Sequence, residues 1–116
     1  MTKAVAEIVN GVLFLKGRSI TLPSRVDHVR RLGNRYLVVC EVWDGPDMWS
    51  NVFCYNSNGE RLWQIEALDI LKTPKGYSKL RIEPGGKLFA YSVAGFLCEI
   101  DRRTGKILDA DFVPFY

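Results

Sequence analysis

Asn51-Val-Phe-Cys-Tyr-Asn-Ser-Asn-Gly-Glu-Arg-Leu-Trp63 is answered further along the chain by Gly95-Phe-Leu-Cys-Glu-Ile-Asp-Arg-Arg-Thr-Gly-Lys-Ile-Leu108. Each stretch reads as an apolar strand, a polar turn containing glycine, and a second strand. The match extends upstream, where Gly33-Asn-Arg-Tyr-Leu-Val-Val39 aligns with Gly85-Gly-Lys-Leu-Phe-Ala-Tyr91 at an offset of 52 residues. Each unit is therefore two hairpins in series, and a period of this size marks a repeated supersecondary unit. The two units span about 26–66 and 78–110.

Working outward, Val5–Val9 and Val12–Leu15 flank Asn10-Gly11, a pair that tolerates positive φ at both turn positions and predicts a type I′ hairpin. Arg18–Leu22 reads as a third strand stopped by Pro23. Residues 24–33 admit two readings. Ser24 with Asp27 three residues on resembles a capping box, and Val26, Val29 and Leu32 recur at helical spacing. The strand reading is preferred because Ser78-Lys-Leu-Arg-Ile82 stands in the same place in the second unit and alternates at period two.

Arg35–Trp43 is apolar on both faces up to Cys40, as expected of a central strand covered on both sides. Trp63 and Ile65 share one face of their strand and should point inward, as should Phe96, Cys98 and Ile100. Ala67–Lys72 is read as at most one helical turn and Thr73–Gly76 as a loop. The apolar tail Phe112–Tyr116 should dock on the body or on a neighbouring subunit.

A chain of 116 residues with 47% hydrophobic content fits one domain that can bury a core without metal or disulfide staples. Cys40, Cys54 and Cys98 are an odd number at wide spacings, so buried reduced thiols are expected rather than a disulfide framework or a zinc site. No apolar run has membrane-spanning length, and Glu7 interrupts any signal-like stretch; a cytoplasmic protein is expected. The net charge of +3 falls in blocks: +5 over residues 1–40, −5 over 41–69, +5 over 70–106 and −2 in the tail. Alternating blocks fit complementary protein surfaces better than a nucleic-acid groove, which shows one sign with interleaved aromatics.

The segments NVFCYNSNGERLWQIE (51–66) and AYSVAGFLCEIDRRTGKIL (90–108) resemble the blades of quinoprotein-type propellers. The layout of residues 19–110 also resembles a family of short uncharacterised bacterial proteins, some carried on integron gene cassettes. The first resemblance implies blade-like repeats only. Two blades cannot close a ring of four to eight, and no residue matches a quinone site, so no cofactor is implied. The second covers most of the chain and implies no activity and no catalytic residues.

Candidate chemistry is sparse. His28 is the only histidine, and neither His-x-x-x-His nor Cys-x-x-Cys occurs, so no metal site is expected. Ser24 or a cysteine with His28 and Asp27 could make a nucleophile–base pair, but no Gly-x-Ser-x-Gly elbow supports one. Arg25, Arg30, Arg31 and Arg35 form a basic cluster, and Arg102-Arg103 a second at a hairpin tip.

The strongest functional candidate is where the repeat fails. Cys54 aligns with Cys98 at an offset of 44, so the first unit holds eight extra residues, within Glu41-Val-Trp-Asp-Gly-Pro-Asp-Met-Trp-Ser-Asn51. Trp43, Met48 and Trp49 offer large contact area beside Asp44 and Asp47, and such loops are where rigid β scaffolds carry function. Alternatively, the two tryptophans fold back and cap the sheet end.

The expected fold is all-β: an antiparallel meander of two blade-like four-stranded repeats plus an N-terminal hairpin, with one or two helical turns at most. Open sheet edges favour a homodimer. The expected function is a non-enzymatic binding or protein-interaction protein, in one version immunity-like or antitoxin-like. The alternative is a small-molecule binder or minor enzyme with a pocket between the two units.

Overall fold

The computed structural model describes residues 6–69 and 76–114, and every regular element in it is a strand. β1 (Ala6–Val9), β2 (Val12–Leu15) and β3 (Arg18–Ile20) form a three-stranded sheet. β4 (Val26–Leu32), β5 (Arg35–Cys40), β6 (Val52–Asn56) and β7 (Arg61–Gln64) form the first four-stranded unit. β8 (Tyr77–Ile82), β9 (Leu88–Ser92), β10 (Phe96–Ile100) and β11 (Ile107–Phe112) form the second. Each sheet is an antiparallel meander in chain order. Asn10 and Gly11 take φ of 52° and 77°, the double positive pattern of a type I′ turn.

Residues 26–32 are strand, which decides between the two readings of that segment. A bulge between Val26 and His28 shifts the face alternation by one, so Val26 and Val29 share a face despite their helical spacing, while Leu32 turns to the other core. No helix occurs among the described residues: Ala67, Ala67's neighbour Leu68 and Asp69 are irregular. The remainder of the predicted helical turn, residues 73–75 of the loop, Val5 and the last two residues of the tail lie outside the described residues.

The three sheets stack, giving two cores. One lies between β1–β3 and the first unit and holds Leu13, Leu15, Val26, Tyr36, Val38, Cys40, Phe53 and Tyr55. The other lies between the two units and is built on Leu37, Val39, Cys54, Trp63 and Ile65 from one side and Leu80, Leu88, Ala90, Cys98 and Ile100 from the other. β5 contributes to both, which is why its apolar run is continuous: Tyr36 through Cys40 are all buried. The inward faces assigned to Trp63, Ile65, Cys98 and Ile100 are as expected, while Phe96 packs at the core's margin.

The register corrects the repeat alignment. Cys54 pairs with Leu37, and Cys98 pairs with Ala90. Val38, aligned with Ala90 by sequence, lies in the other core. A shift of one residue moves a strand's side chains to the opposite face, so the offsets 52 and 44 cannot both hold. Anchored on the cysteines and their partners, the first unit's extra stretch is nine residues rather than eight.

Polar contacts lock the units together at both ends. At one, the buried Asn51 amide donates to the carbonyls of Cys40 (2.8 Å) and Tyr77 (2.9 Å) and accepts from the Tyr77 N–H (2.7 Å). At the other, Trp63 Nε1–H donates to the Arg102 carbonyl (2.9 Å) in the β10–β11 turn. Gly105 in that turn has φ +79°, and a Cβ there would lie 2.5 Å from the Trp63 ring. Glycine is required for both reasons. The tail docks through its backbone, with Val113 N–H on the Gly95 carbonyl (2.7 Å) and the Tyr91 hydroxyl on the Val113 carbonyl (3.0 Å), while Phe112 stays 63% exposed.

Candidate functional site

The Glu41–Asn51 loop leaves the core where β5 ends and returns where β6 begins. Glu41 N–H donates to the Arg25 carbonyl and Cys40 N–H to the Asn51 carbonyl, both at 2.9 Å, which pins the loop's two feet together. Within it, Asp47 takes φ +59° and its carbonyl accepts from Ser50 N–H at 2.9 Å, a tight turn that an acidic or amide residue tolerates. Trp43 folds back. Its ring stacks on Phe53 at 6.2 Å and 29°, and its Nε1–H donates to the Pro46 carbonyl at 3.0 Å.

The capping reading therefore describes Trp43, which packs against the core on the β1–β3 side. Asp44 and Asp47 are exposed, and Met48 and Trp49 are half-buried. Arg61 places its guanidinium 5.6 Å from the Phe53 ring centre. The result is an open cleft of about 390 Å³ lined by Pro23, Trp43, Pro46, Asp47, Phe53, Arg61 and Gln64. Phe53 and Arg61 are parts of this site that sequence reasoning treated as scaffold. Their cross-sheet approach to Trp43 leaves no local sequence signal.

The four arginines read as one cluster are distributed. Arg30 pairs with Leu37 and Arg31 with Tyr36, so the two side chains leave opposite faces of β4. Arg30 donates to the Leu80 carbonyl (3.1 Å), Arg31 to the Gly33 carbonyl (2.8 Å) and Arg25 to the Asn10 carbonyl (3.1 Å). Arg35 instead donates to the Arg102 carbonyl (3.2 Å), across 67 positions of sequence. This brings one arginine of the first basic cluster to the two of the second. Leu32, Gly33, Asn34, Arg35, Arg102 and Arg103 line a pocket of about 350 Å³ at the seam between the units.

His28 Nδ1 lies 2.6 Å from the Asp27 carboxylate, beside a shallow cleft lined by Ala6, Ile8, Val29, Arg31 and Tyr36. The Ser24 hydroxyl donates to the Glu41 carbonyl. Cys40, Cys54 and Cys98 are buried free thiols, each pushed up to about 11, chiefly by burial. Thiolate is the nucleophilic form, so these three are inert in the folded chain. Burial likewise raises Tyr77 and Tyr55 above the usual phenol range. No group of three or more His, Cys, Asp or Glu suited to a metal ion occurs among the described residues. No helix among them is long and apolar enough to cross a membrane.

Stacked antiparallel sheets, with an aromatic cleft on one unit and an arginine-lined pocket at the seam, define the class: an all-β protein of blade-like four-stranded units. Within it, the chain belongs to the family described as Domain of unknown function (DUF7957), whose model matches residues 4–112. No curated protein matches the sequence. Among solved structures, the chain is similar to the computationally designed Ika8 protein, with a TM-score of 0.65 at 12% identity. The match covers 97% of this chain and 35% of the designed one, so this chain spans about a third of that protein's length. At that identity the likeness concerns the fold alone.

Proposed function

We propose that this chain is a non-enzymatic protein-interaction protein whose contact surface is the Glu41–Asn51 loop and the cleft beneath it. The observation that carries the reading is the Trp43–Phe53–Arg61 stack: the Trp43 ring and the Arg61 guanidinium held against the buried Phe53 ring along an open cleft, with Asp44 and Asp47 exposed beside it. Pre-ordered aromatic and arginine side chains are what interface hot spots are made of, because little entropy is lost when a partner seats on them. The acidic rim favours a partner segment that carries a basic residue next to an apolar one. In its concrete form the partner is a toxin that the chain masks, as an immunity or antitoxin protein encoded on a mobile element does. The blocks of alternating charge along the sequence support that version. Three buried reduced cysteines support a cytoplasmic setting.

The test is capture of the protein encoded by the neighbouring gene. Trp49→Ala, and separately Asp44→Asn with Asp47→Asn, should weaken capture at least tenfold while leaving the melting temperature unchanged. Equal capture by all variants overturns the reading. Trp43→Ala is unsuitable because Trp43 also packs on the core.

The seam pocket supports a second reading, binding of a small anion. Arg35, Arg102 and Arg103 converge on one cavity, and none of its six lining residues is a carboxylate. Millimolar phosphate or citrate should raise the melting temperature of the wild type and not of Arg35→Gln. Identical shifts in both proteins exclude this site.

A further inference from the structure

The two four-stranded units share a plan that the N-terminal sheet follows in part. In each unit the first strand pairs with the second through a bulge, between Val26 and His28 in β4 and between Tyr77 and Lys79 in β8, while the second and third strands pair without one. β1 and β2 also pair without a bulge. The stacking agrees, since β8 packs on β5 and β4 packs on β1. So does the anchoring of the first strands: Tyr77 N–H donates to the Asn51 side chain at the end of the β5–β6 loop, and Val26 N–H donates to the Gly11 carbonyl in the β1–β2 turn at 2.9 Å. β1, β2 and β3 therefore match β5, β6 and β7. β1 is built as a second strand, yet among the described residues it stands at the edge of its sheet.

Its exposure shows the consequence. Tyr36 through Cys40 on β5 are buried, whereas Ile8 and Val9 on β1 are 41% and 50% exposed. The first strands of the two units blunt their open edges with the bulge and with charge, His28, Arg30 and Arg31 on β4 and Lys79 and Arg81 on β8. β1 carries no bulge, and Glu7 is its one charge. The two-residue turn decides which backbone groups are open. Val9 and Val12 flank it as a hydrogen-bonded pair, so Val9 and Glu7 use their N–H and carbonyl groups on β2, and Ile8 turns its own outward. The Ile8 side chain lies on the same face as Leu13 and, with Val29, Arg31 and Tyr36, lines the cleft of about 420 Å³ beside β4.

We propose that β1 accepts an extended segment of a partner protein as a fourth strand, its apolar side chains entering this cleft and an acidic one meeting Arg31. In strand addition the backbone supplies affinity and alternate side chains supply specificity. The preference for an acid follows from the cleft. Arg31 is a fixed cation there, held by its Nε–H on the Gly33 carbonyl, and the Asp27 carboxylate is taken by His28. A second copy of β1 is a poorer occupant. A two-fold axis perpendicular to the joined sheet keeps both first units on one side of it, which brings His28 and Arg31 of one copy toward those of the other. The inference goes beyond the loop reading, because the loop joins β5 and β6 and either surface can fail without the other.

The test is selection of decapeptides from a random displayed library on the full chain, followed by titration of the enriched peptides. Enriched sequences should alternate apolar residues with at least one acid. Ile8→Pro removes the outward N–H and leaves the ladder bonds of Glu7 and Val9, so it should weaken their binding at least tenfold. Ile8→Lys keeps the N–H and should do the same by setting a charge in the cleft wall. Arg31→Glu should weaken the acidic peptides by a similar factor. Melting curves that match the wild type show that each variant is folded, and the two Ile8 variants check each other.

Four results overturn the proposal. One is a library that yields no enriched peptide. Another is enriched peptides that bind both Ile8 variants as tightly as the wild type, which places their site at the loop or elsewhere. The third is enrichment of basic peptides whose binding survives Arg31→Glu, which removes the acidic partner. The last is a wild type that light scattering shows to be a dimer while Ile8→Pro is a monomer, which gives the edge to a second copy of the chain.

Discussion

On the side of the first unit that faces β1–β3, Tyr36 and Tyr55 are 5% and 4% exposed, and Val38 and Phe53 are at most 1% exposed. The side of the second unit that faces away from the core holds Lys79, Arg81, Phe89, Tyr91, Leu97, Glu99, Asp109 and Asp111. Both sheets are four-stranded meanders with the same strand order, so the difference lies in cover. Where a third sheet closes the face, side chains are chosen to fill volume. On the second unit no third sheet does so among the described residues, and the outward side sets an aromatic centre between charged margins, with Lys79 and Arg81 held over the Tyr91 and Phe89 rings. Within one chain, the pair shows what the two units share, their ladder, and what differs between them, the chemistry of the face turned away from the common core.

The sharpest break in the comparison is at the contact that makes the two units one body. Asn51 is 2% exposed and satisfies three backbone groups on two different strands of the two units. Asn51→Ala leaves all three buried and unsatisfied, at about 1–3 kcal/mol each, and should cost about 4–6 kcal/mol of stability in urea unfolding. A loss under about 1 kcal/mol would mean that the units are held by their apolar core alone.

Next come two matched truncations. Phe53→Ala removes a fully buried ring from the covered face and should cost about 3–4 kcal/mol. Phe89→Ala removes the corresponding class of side chain from the open face, where it already meets water, and should cost less than about 1 kcal/mol in the monomer. Equal losses would show that the outer face of the second unit is covered in solution even at low concentration.

The ladders were legible in sequence because their causes are local. Alternation, glycine turns and Asn10-Gly11 each act within a few residues, and β1 through β11 follow them closely. What escaped was long-range. The alignment of Val38 with Ala90 hid a one-residue register slip, since both are small apolar strand residues but Val38 faces the other core, whereas Cys54 and Cys98 match in face as well as type. Residue type also hid the arginines: Arg30 and Arg31 are adjacent in sequence and opposed in space, whereas Arg35 and Arg102 are distant in sequence and bonded. Trp43 was visible as a candidate, but Phe53, which holds it, and Arg61, which shares its ring, read as ordinary strand residues.

A similarly small effect is expected at the far end of the same seam, and it separates burial from connectivity. Glu66 continues from β7 and reaches the second unit three times, its N–H on the Gly105 carbonyl and its carboxylate accepting from Ile107 N–H, both at 2.9 Å, and its carbonyl accepting from the Tyr77 hydroxyl at 2.7 Å. The pattern resembles that of Asn51: one side chain bridging the two units through backbone groups. The difference is that Glu66 is exposed, so water can replace the carboxylate at Ile107 at little cost. Glu66→Ala should therefore lose only about 0.5–1.5 kcal/mol, several-fold less than Asn51→Ala, and Glu66→Gln, which keeps an acceptor oxygen, should lose less still. If Glu66→Ala proved as damaging as Asn51→Ala, the seam would be a single cooperative clamp, and the two units would separate together rather than from the wet end inward.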